Sequence, residues 1–600
     1  MHASAGSPWA RFDDLVGGSA LLFAEPRQVL VAHRTADVAP VLEEVEQATR
    51  RGRWAFGHVS YEAASGLDPV LPTCAPAEDG PPLAWFGLGD EPARVPPVPV
   101  PPGRDRAYRA QPWRPDWTLP AYARDLATVR MHIAAGDVYQ CNLTSRVRGA
   151  VAGDLLQLYA DLVHNQRARY AAYLDEGRHV VASASPELFF EWSGRRLLTR
   201  PMKGTAARGR DEAEDEDRLR RLLASPKERA ENIMIVDLLR NDLGRVAEVG
   251  SVEVPGLCRP ERYETVWQLT SDVAGTLPPG TQLLDVFRAL FPCGSVTGAP
   301  KRRAMQVLRD VEDAPRGVYC GAVGVVAPPD APVRARFSVA IRTAVVDRAS
   351  GTAVYGTGSG ITWDSDPVAE AAELQAKAAI VHAPHEQLDL LETMACVPAE
   401  GVRHLDRHLR RLASSARYAG FRLDLDDARR RVLETVRGSR PCRVRLLLSR
   451  DGSVRVERLP LPPADDRPVT LAVDPDPVDS ADRWLRHKTT RRRVYEDRTT
   501  RHPHVDDVVL TNERGALTET TIANLAVRLD GVWWTPPTGD GCLPGVERGR
   551  LLELGRLRER SLTSDDLRRA EALAVVSSVR GWRTAVLADE SALSARAGRP

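Results

Sequence analysis

The sequence predicts an α+β protein of more than one domain, and three observations support this class. Its 600 residues exceed what a single hydrophobic core usually organises. Between residues 122 and 381, helical periodicities alternate with short apolar strands such as RHVVASA and ARFSVAIRTAVV, which predicts a layered α/β domain. Mixed strands and helices resume after residue 388. We therefore predict an N-terminal region at 1–118, a central domain at 119–382 and a C-terminal domain at 383–600.

The N-terminal region combines short strands with one helix and a connector. ALLFAE, QVLVAH and AWFGLG are apolar runs of strand length, and VLEEVEQATR has helical periodicity. The proline-rich stretch that follows, PARVPPVPVPPGRDRAYRAQPWRPDW, is typical of an extended connector.

Composition excludes several classes of partner. The formal net charge of +1 argues against nucleic acid. Eight cysteines without a C-x-x-C pair indicate a reduced protein without a structural zinc site. The N-terminus MHASAGSPWARFDD lacks a signal pattern, and no apolar run reaches the length of a membrane span. We expect a cytoplasmic protein with no membrane partner.

Lysine is scarce in this chain, which contains five lysines and 77 arginines. Because the guanidinium of arginine is in effect never deprotonated, arginine cannot replace lysine where a free amine must react. Each lysine is therefore a candidate for amine chemistry or for a compact charge in a tight site, and chance retention is the alternative for any one of them. The five are Lys203, Lys227, Lys301, Lys377 and Lys488.

Two pairs of glutamates occur at helical spacing. SPKERAENIMIVDLLRNDLGRV predicts a helix with a proline at its start and places Glu228 and Glu231 on one face. DPVAEAAELQAKAA places Glu370 and Glu373 in the same way. Four converging carboxylates would suit Mg²⁺, a hard cation that prefers oxygen ligands. The alternative is two solvated helix faces, one of which carries an ion pair to Lys377.

An ordered series of eight motifs surrounds these residues. In chain order they are GDVYQCNLTS, SPELF, PMKGTAARG, KERAENIMIVDLLRNDLGRV, LFPCGSVTGAPKRRAM, RGVYCGAVG, FSVAIRT and GTGSGITWDSDP. The series closely resembles the chorismate-utilising enzymes, the family of anthranilate, aminodeoxychorismate, isochorismate and salicylate synthases. The resemblance covers residues 1–381 and implies a layered chorismate-binding domain.

The resemblance implies a metal site and a general acid. Mg²⁺ would be held by Glu231 and Glu373, with Glu228 and Glu370 alongside. The metal would bind the ring carboxylate of chorismate and assist departure of the C4 hydroxyl. Glu187 matches the general acid that protonates this hydroxyl.

Other matching positions would bind the substrate. Arg342 matches a residue that holds a substrate carboxylate through its two-pronged guanidinium. Tyr319 and the backbone N–H groups of a glycine-rich loop match the site of the side-chain carboxylate. Thr297 and Lys301 match a loop that faces the site, where Lys301 is either a charge for the substrate or only positional. The glycine-rich loop consists of Gly358, Ser359 and Gly360.

Two positions separate the reactions of this family. Isochorismate and salicylate synthases have a water-activating lysine where this chain has Gln140, which cannot act as a base. Anthranilate synthases usually have a small residue where this chain has Lys203. In aminodeoxychorismate synthases a lysine at that position attacks C2 of chorismate, so the resemblance favours this reaction. One departure is Gln268, which replaces a frequent histidine, and the role of that histidine is not transferred.

The amination needs a source of ammonia. Glutamine amidotransferases use a cysteine nucleophile in a glycine-rich elbow with a downstream histidine, and none of the eight cysteines has that setting. We therefore predict that a separate glutamine amidotransferase subunit is a partner, in addition to chorismate as substrate.

The C-terminal block contains LDLLETMACV, HLDRHLRRLASSARYAGF, RHKTTRRRVYEDR, TETTIANLAVRL and GCLPGVERGRLLE. These motifs resemble the fold-type IV pyridoxal-phosphate (PLP) enzymes, which include aminodeoxychorismate lyase and class IV aminotransferases. The resemblance implies that Lys488 holds PLP covalently and that Glu519 binds its pyridine nitrogen. Arg411 and the backbone N–H groups at Gly545–Val546 would bind the phosphate. Arg445 is a further candidate, for a substrate carboxylate.

Three hypotheses remain open at this point. The first is a bifunctional enzyme that aminates chorismate and then eliminates pyruvate to give 4-aminobenzoate, and the adjacency of the domains favours a lyase over a transaminase. The second retains the synthase but makes the C-terminal domain, which lacks the family's usual first strands, a non-catalytic module. The third makes the central domain an anthranilate synthase.

Overall fold

The computed structural model describes residues 7–100, 106–382, 384–397, 400–463 and 465–588. Residues 101–105 of the predicted connector lie outside this part. The chain forms two compact units, and helices and strands alternate in both, which confirms the predicted α+β class. The first unit consists of Met1–Ala207 and Leu219–His385, and the second of Arg208–Arg218 and Glu386–Pro600.

Two antiparallel sheets form the centre of the first unit. The strands are β1 (Trp9–Asp14), β2 (Ser19–Phe23), β3 (Gln28–Ala32), β4 (Trp54–Val59), β5 (Ala84–Gly89), β6 (Ala93–Val95), β7 (Tyr108–Ala110), β8 (Arg114–Pro115), β9 (Gln140–Gly153), β10 (Tyr170–Asp175), β11 (His179–Ser185), β12 (Leu188–Ser193), β13 (Arg196–Arg200), β14 (Met202–Ala207), β15 (Glu253–Arg262), β16 (Val266–Thr276), β17 (Gly298–Ala299), β18 (Ala322–Val326), β19 (Ala335–Val339), β20 (Thr343–Asp347) and β21 (Thr352–Ile361). The first sheet has the order β17-β9-β21-β20-β11-β10-β1-β2-β6, with β7 and β8 paired to β9. The second has the order β14-β16-β13-β12-β19-β18-β4-β5-β3, with β15 paired to β16.

An apolar layer joins the two sheets. Ala10 and Phe23 of the first sheet share one buried cluster with Phe56 and Trp85 of the second. The rings of Phe23 and Phe56 lie 4.7 Å apart. The alternation of side chains along each strand leaves the opposite face of each sheet to be covered by helices.

Helices cover these outer faces. Leu42 and Phe287 share a buried cluster with Phe337 of β19 on the second sheet, whereas Leu158 packs with Val180 of β11 on the first. The helix–sheet–sheet–helix arrangement is the layered domain that the sequence predicts. The helices of the first unit are α1 (Thr35–Arg50), α2 (Ala64–Leu67), α3 (Leu119–Ala134), α4 (Leu155–Gln166), α6 (Pro226–Gly244), α7 (Leu283–Leu290), α8 (Lys301–Val311) and α9 (Pro367–Ala378). Helix α5 (Glu212–Ala224) begins in the second unit and ends in the first.

The second unit contains a small and a large sheet. The small sheet has the order β23-β22-β24-β25, and the large sheet has the order β28-β27-β26-β33-β32-β29-β30-β31. The large sheet is mixed, because β26 pairs in parallel with β27 and β33. The strands are β22 (Leu390–Val397), β23 (Gly401–Val402), β24 (Cys442–Leu448), β25 (Val454–Pro460), β26 (Val469–Val473), β27 (Asp507–Thr511), β28 (Leu517–Thr520), β29 (Asn524–Leu529), β30 (Val532–Thr535), β31 (Arg558–Glu559), β32 (Ala572–Ser577) and β33 (Gly581–Leu587).

Amphipathic helices cover the small sheet. Leu409 and Leu412 lie three residues apart on one helix and pack with Val432 and Val444 in a buried cluster. In the described ranges no helix has both the length and the apolar character needed to cross a membrane. The helices of this part of the chain are α10 (Leu405–Ala419), α11 (Leu425–Val436), α12 (Arg493–Arg501), α13 (Val546–Glu553) and α14 (Ser564–Arg568).

Candidate active sites

Two capped helices carry the predicted carboxylate pairs. The side chain of Ser225 accepts a hydrogen bond from the backbone N–H of Glu228 at the start of α6. Asp366 caps α9 through the N–H groups of Val368 and Ala369. Each helix has a proline in its first turn, which the sequence analysis predicts for α6. Both glutamate pairs therefore lie near the N-terminal ends of their helices.

Lys203 lies where three strands meet. It is carried by β14, and its Nζ is 3.5 Å from Glu231 Oε2. A Cβ atom added to Gly360 of β21 would lie 2.3 Å from Lys203 Nζ and 3.8 Å from Gln140 Oε1 of β9. Gln140 is buried, and its Oε1 has no hydrogen-bond partner among the described residues. The structure therefore brings the amine of Lys203, the amide of Gln140 and the carboxylate of Glu231 together.

The glycine-rich segment has a different conformation from the one expected. We predicted a loop, but Gly358, Ser359 and Gly360 belong to strand β21 and pair with Thr144, Leu143 and Asn142 of β9. The physical reason is crowding, because glycine leaves room for neighbouring side chains. A Cβ atom at Gly356 would lie 2.1 Å from Tyr319 Cγ, and one at Gly358 would lie 3.1 Å from the Tyr319 hydroxyl.

The open edge of this strand still fits anion binding. The Gly358 carbonyl accepts a hydrogen bond from Lys377 Nζ at 2.8 Å, so this carbonyl points away from β9. The N–H of the same residue points to the same side in an antiparallel strand. The Ser359 hydroxyl bonds to Tyr122 at 2.9 Å. The predicted contact of this segment and of Tyr319 with a substrate carboxylate stays a prediction.

Glu187 is buried and follows the end of β11 by two residues. The Ser295 hydroxyl donates a hydrogen bond to its Oε1 at 2.6 Å. Burial raises the pKa of Glu187 to about 7, against the opposing effects of the Ser295 hydroxyl, the backbone N–H of Met202 and the charge of Lys203. A carboxyl group with this pKa is partly protonated near neutral pH, which is what a general acid requires.

Lysines neutralise the carboxylates of the predicted metal site. Lys377 Nζ lies 2.5 Å from Glu373 Oε1. Burial alone would raise the pKa of Glu373, but the charges of Lys377 and Lys203 outweigh this effect and lower it. Glu228 Oε2 accepts the backbone N–H of Thr205 at 3.1 Å. No group of three or more histidine, cysteine, aspartate or glutamate residues in the described ranges is arranged to hold a metal. Mg²⁺ commonly binds one or two carboxylates together with water and substrate, so Glu231 and Glu373 are a donor set that fits it.

Thr297 and Lys301 have structural partners. Lys301 Nζ forms a buried ion pair with Asp242 Oδ2 at 2.7 Å and donates a hydrogen bond to the Leu290 carbonyl at 2.9 Å. The Thr297 hydroxyl bonds to the carbonyls of Cys293 and Gly294, each at 3.3 Å. These contacts support the positional alternative for Lys301, and the predicted substrate contacts stay predictions.

Arg342 is held beside α9. Its guanidinium donates a hydrogen bond to the Lys377 carbonyl, which also accepts the hydroxyl of Tyr355 at 3.1 Å. Arg342 has a φ of 53°, a left-handed conformation that is uncommon for a residue with a side chain. The role of Arg342 toward a substrate carboxylate stays a prediction.

Gln268, which stands where the family often has a histidine, accepts a hydrogen bond through its Oε1 from the Thr205 hydroxyl at 2.9 Å.

The second site is centred on Lys488. The segment that carries it lies along β22, where the Leu391 N–H donates to the Lys488 carbonyl at 2.8 Å. Burial lowers the pKa of the Lys488 amine to about 8, with Arg411 and Arg492 acting in the same direction. Near neutral pH such an amine is deprotonated far more often than an exposed lysine, which favours covalent chemistry.

Glu519 faces the same site from β28. The Tyr495 hydroxyl donates to its Oε1 at 2.8 Å, and Asn524 Nδ2 lies 3.4 Å from its Oε2. Burial raises the pKa of Glu519 to about 7 against the effects of Tyr495 and Lys488. A cationic pyridine nitrogen would give this buried carboxylate a charge partner.

Arg411 takes part in a buried network on α10. Its guanidinium donates to both oxygens of Glu392, and His408 Nδ1 lies 2.6 Å from Glu392 Oε2. Despite burial, Arg411 and His408 lower the pKa of Glu392 to about 2. Arg411 also donates to the Pro544 carbonyl at 3.1 Å, which ties it to the residues that precede α13.

Gly545 is the N-cap of α13, the helix that begins at Val546. A Cβ atom at Gly545 would lie 1.9 Å from Asn524 Oδ1, so a larger residue would displace this amide. N–H groups at a helix N-terminus favour an anion, and Arg411 lies beside this segment. Arg445 lies on β24, and its Nε is buried with no hydrogen-bond partner among the described residues.

The residues of the second site fit PLP. A buried amine with a lowered pKa, a buried carboxyl group and an arginine at a helix N-terminus match the aldehyde, the pyridine nitrogen and the phosphate. Lys488, Arg411 and Glu519 are close enough for Arg411 and Glu519 to influence the pKa of Lys488.

Sequence reasoning missed several partners of these residues. Two of them could have been identified from the sequence. Glu392 is an acidic residue inside the apolar run LLETMAC, which indicates a buried charge, and His408 precedes Arg411 by about one helical turn, which places the two side chains on the same face. Asn524 lies five residues after Glu519 in the same motif, whereas Ser295 and Tyr495 reach their glutamates from more distant segments of the chain, and no local pattern identifies these two.

Residues 11–383 match the family described as chorismate binding enzyme, so the chain belongs to this family. Residues 389–587 match the family described as amino-transferase class IV, which gives the chain a C-terminal domain of this second family. The predicted combination of a chorismate-binding domain and a fold-type IV domain is thereby confirmed.

The curated relatives that match the chorismate-binding part include proteins with two different names, anthranilate synthase component 1 and aminodeoxychorismate synthase component 1. Anthranilate synthase component 1 of Streptomyces coelicolor is 43% identical over 265 residues, which are 44% of this chain and 51% of that protein. Aminodeoxychorismate synthase component 1 of Klebsiella aerogenes is 39% identical over 260 residues, which are 43% of this chain and 56% of that protein. The chain thus spans about half the length of these curated relatives.

A solved structure supports the fold. The crystal structure of anthranilate synthase component I from Streptococcus pneumoniae aligns with a TM-score of 0.50 at 24% identity. The alignment covers 64% of this chain and 93% of the other. It shows a shared fold for the chorismate-binding part.

Proposed function

We propose that the chain converts chorismate to 4-aminobenzoate through two reactions, one in each family domain. The observation that carries the proposal is the setting of Lys203, whose amine lies near Glu231 and Gln140, at a position that the missing Cβ atom of Gly360 leaves free. A nucleophilic role requires an amine, and arginine could not perform it. The amide of Gln140 supports amination over hydration, since it cannot activate water as a base.

In the first reaction, Lys203 Nζ attacks C2 of chorismate and the C4–O bond breaks. Glu187 donates its proton to the departing hydroxyl, which leaves as water. Ammonia then forms a bond to C4, the C2–N bond to Lys203 breaks and the amine is regenerated. The ammonium group formed at C4 gives one proton to the Glu187 carboxylate, which restores the protonated general acid. The product is 4-amino-4-deoxychorismate.

Mg²⁺ would be held by Glu231 and Glu373, with Glu228 and Glu370 nearby. When bound, it would supply Lewis-acid stabilisation of negative charge on the substrate. Lys203 and Lys377, which now neutralise these carboxylates, would then be free to face the substrate.

In the second reaction, 4-amino-4-deoxychorismate loses pyruvate to form 4-aminobenzoate. PLP, when bound, stabilises the negative charge left by the departing proton. Lys488 is the base that removes the C4 proton, and its lowered pKa suits this role. Glu519 would bind the pyridine nitrogen of the cofactor and Arg411 its phosphate. Breaking the C3–O bond releases the enolpyruvyl group, which gains a proton to become pyruvate and leaves an aromatic ring.

Ammonia would be supplied by a separate glutamine amidotransferase subunit, and the cytoplasm would be the place of reaction. Free ammonia replaces that subunit in a purified assay. This permits a test of the chain by itself.

The experiment is product identification from the purified full chain with chorismate, Mg²⁺ and ammonium chloride, with and without PLP. We expect 4-amino-4-deoxychorismate without PLP, and equal amounts of 4-aminobenzoate and pyruvate with PLP. Accumulation of 4-amino-4-deoxychorismate in both samples would indicate a non-catalytic C-terminal domain. Formation of 2-aminobenzoate would instead show an anthranilate synthase and contradict the proposal.

A further inference from the structure

A short stretch from the middle of the sequence is built into the second unit. Arg208–Arg218 directly follows β14 in the chain, yet it belongs to the same compact unit as Glu386–Pro600. We call Arg208–Arg218 the inserted segment. It lies within the residues matched by the chorismate-binding family and outside those matched by the class IV family.

The first anchor of the inserted segment is Tyr418 of α10. The Arg208 guanidinium lies 4.7 Å from the centre of the Tyr418 ring and donates to the Tyr418 carbonyl at 2.8 Å. The Tyr418 hydroxyl donates to the Gly209 carbonyl at 2.6 Å. Arg208 also forms a buried ion pair with Asp215 at 2.7 Å, which closes the segment on itself. Buried, charge-assisted contacts of this kind are among the stronger ones in proteins.

Acidic side chains of the inserted segment form a second set of anchors. Glu212 accepts hydrogen bonds from Ser414, at 2.6 Å, and from Arg417. Asp211 pairs with the buried Arg486, which lies two residues before Lys488. Tyr418 of the first set contacts His487, and Asp211 of the second set contacts Arg486, so both sets reach residues just before Lys488.

His487, the residue before Lys488, connects the inserted segment to the lysine. Its ring stacks on Tyr418 with the centres 4.5 Å apart and the planes 13° from parallel. Its Nε2 lies 3.1 Å from the Arg210 carbonyl, and its Nδ1 lies 2.9 Å from the Ser415 hydroxyl. Burial lowers the pKa of His487 to about 4, so the ring is neutral, Nε2 donates to the carbonyl and Nδ1 accepts from Ser415.

We propose that the inserted segment is a working part of the PLP-binding domain, in which Arg210 and His487 are positioning residues that hold the backbone of Lys488. The proposal rests on the proposed PLP-dependent reaction. It follows that the second catalytic domain is assembled from two separate stretches of sequence. The class IV domain begins directly at β22, and the inserted segment supplies packing for α10 and for residues 486–488.

The test uses the full chain and a double variant, Asp211→Ala with Glu212→Ala, which removes the acidic anchors, including the partner of Arg486, without substituting any of residues 480–492. In the PLP-free protein, we expect faster hydrogen–deuterium exchange at 484–490. In the PLP-loaded protein, we expect binding weakened about tenfold and a changed pH midpoint of the visible absorption band. The matched control is Asp406→Ala, which removes an exposed ion pair to Arg429 in the same unit and should leave all three readouts unchanged.

A milder variant guards against misfolding. Tyr418→Phe keeps the ring that stacks on His487 and removes the hydroxyl, which donates to the Gly209 carbonyl and also interacts with Arg483, so the same changes should appear at smaller size. Unchanged exchange and PLP affinity within twofold, in folded variants of both kinds, would overturn the proposal. A wild-type chain that binds no PLP would contradict the proposed second reaction, while the exchange measurement on the PLP-free protein would still decide the role of the inserted segment.

Discussion

The two lysines proposed to react as free amines have opposite surroundings. Lys488 lies near the cations Arg411 and Arg492, and burial lowers the pKa of its amine to about 8. Lys203 lies 3.5 Å from the carboxylate of Glu231 and contributes to lowering the pKa of Glu373. One amine is desolvated where the effect of two arginines on its pKa exceeds that of Glu392 and Glu519, and the other faces negative charges.

Desolvation beside cations therefore identifies only one kind of reactive lysine. Lys488 is prepared by the folded protein before any ligand arrives. Lys203 shares carboxylates that a divalent cation would also use, so its chemistry depends on what else those carboxylates hold.

Glu187→Gln should have the largest effect on the first reaction alone. The amide cannot donate a proton to the departing hydroxyl, so we expect a loss of about 10²- to 10⁴-fold in 4-amino-4-deoxychorismate formation. In the wild type, the rate should fall as pH rises through about 7, because the proton of Glu187 is then lost. The measurement is the initial rate against pH at a constant concentration of free ammonia. A rate that stays level to pH 9 would remove Glu187 from the role of general acid.

Lys301→Met should change stability and not chemistry. Removing this cation leaves Asp242 buried without its ion-pair partner, which we expect to cost about 3–5 kcal/mol in the free energy of unfolding. The matched control is Lys227→Met, which alters an exposed lysine on α6. Denaturant unfolding measures both variants. A stable Lys301→Met protein that had lost chorismate binding would restore the alternative role of Lys301 as a substrate contact.

Gly360→Ala should displace the reactive amine of Lys203. The new methyl group would lie 2.3 Å from Lys203 Nζ, and a shift of about 1 Å can cost about 10²-fold in rate. We expect this loss in the first reaction, with elimination of pyruvate from added 4-amino-4-deoxychorismate unchanged. Gly89→Ala is the matched control, since its methyl group would meet no atom within 4 Å. Equal rates for the two variants would show that Lys203 does not act in this position.

Ser295→Ala should produce the smallest change, a shift in a pH profile. The Ser295 hydroxyl donates to the Glu187 carboxylate and so lowers the pKa of Glu187. Without this bond the carboxyl group should retain its proton to higher pH, and the alkaline limb of the first reaction should move upward. A downward movement would mean that the hydrogen bond favours the protonated form.

The comparison also shows what sequence can predict. The helices α6 and α9 were predictable because Ser225–Pro226 and Asp366–Pro367 mark their starts within a few residues. The two families were predictable because each of their motifs is a short, contiguous stretch of sequence that can be read without the structure. The scarcity of lysine in an arginine-rich chain pointed to five candidates, and the motifs around Lys203 and Lys488 distinguished these two from the rest.

Contacts between distant segments were not predictable from local patterns. Gly358–Ser359–Gly360 has the composition of a loop, and only the crowding by Tyr319 and Lys203 explains why glycines occur in a strand. Ser295 reaches Glu187 across 108 residues of sequence. Arg208–Arg218 contains no motif that assigns it to the C-terminal unit.

The most direct test of the two-amine account is product analysis of Lys203→Arg and Lys488→Arg, because arginine keeps the positive charge and removes the reactive amine. With chorismate, ammonia, Mg²⁺ and PLP, we predict that Lys488→Arg accumulates 4-amino-4-deoxychorismate without pyruvate. Lys203→Arg should form neither product from chorismate, yet should release pyruvate from added 4-amino-4-deoxychorismate. Formation of 4-aminobenzoate from chorismate by either arginine variant at the wild-type rate would contradict the account.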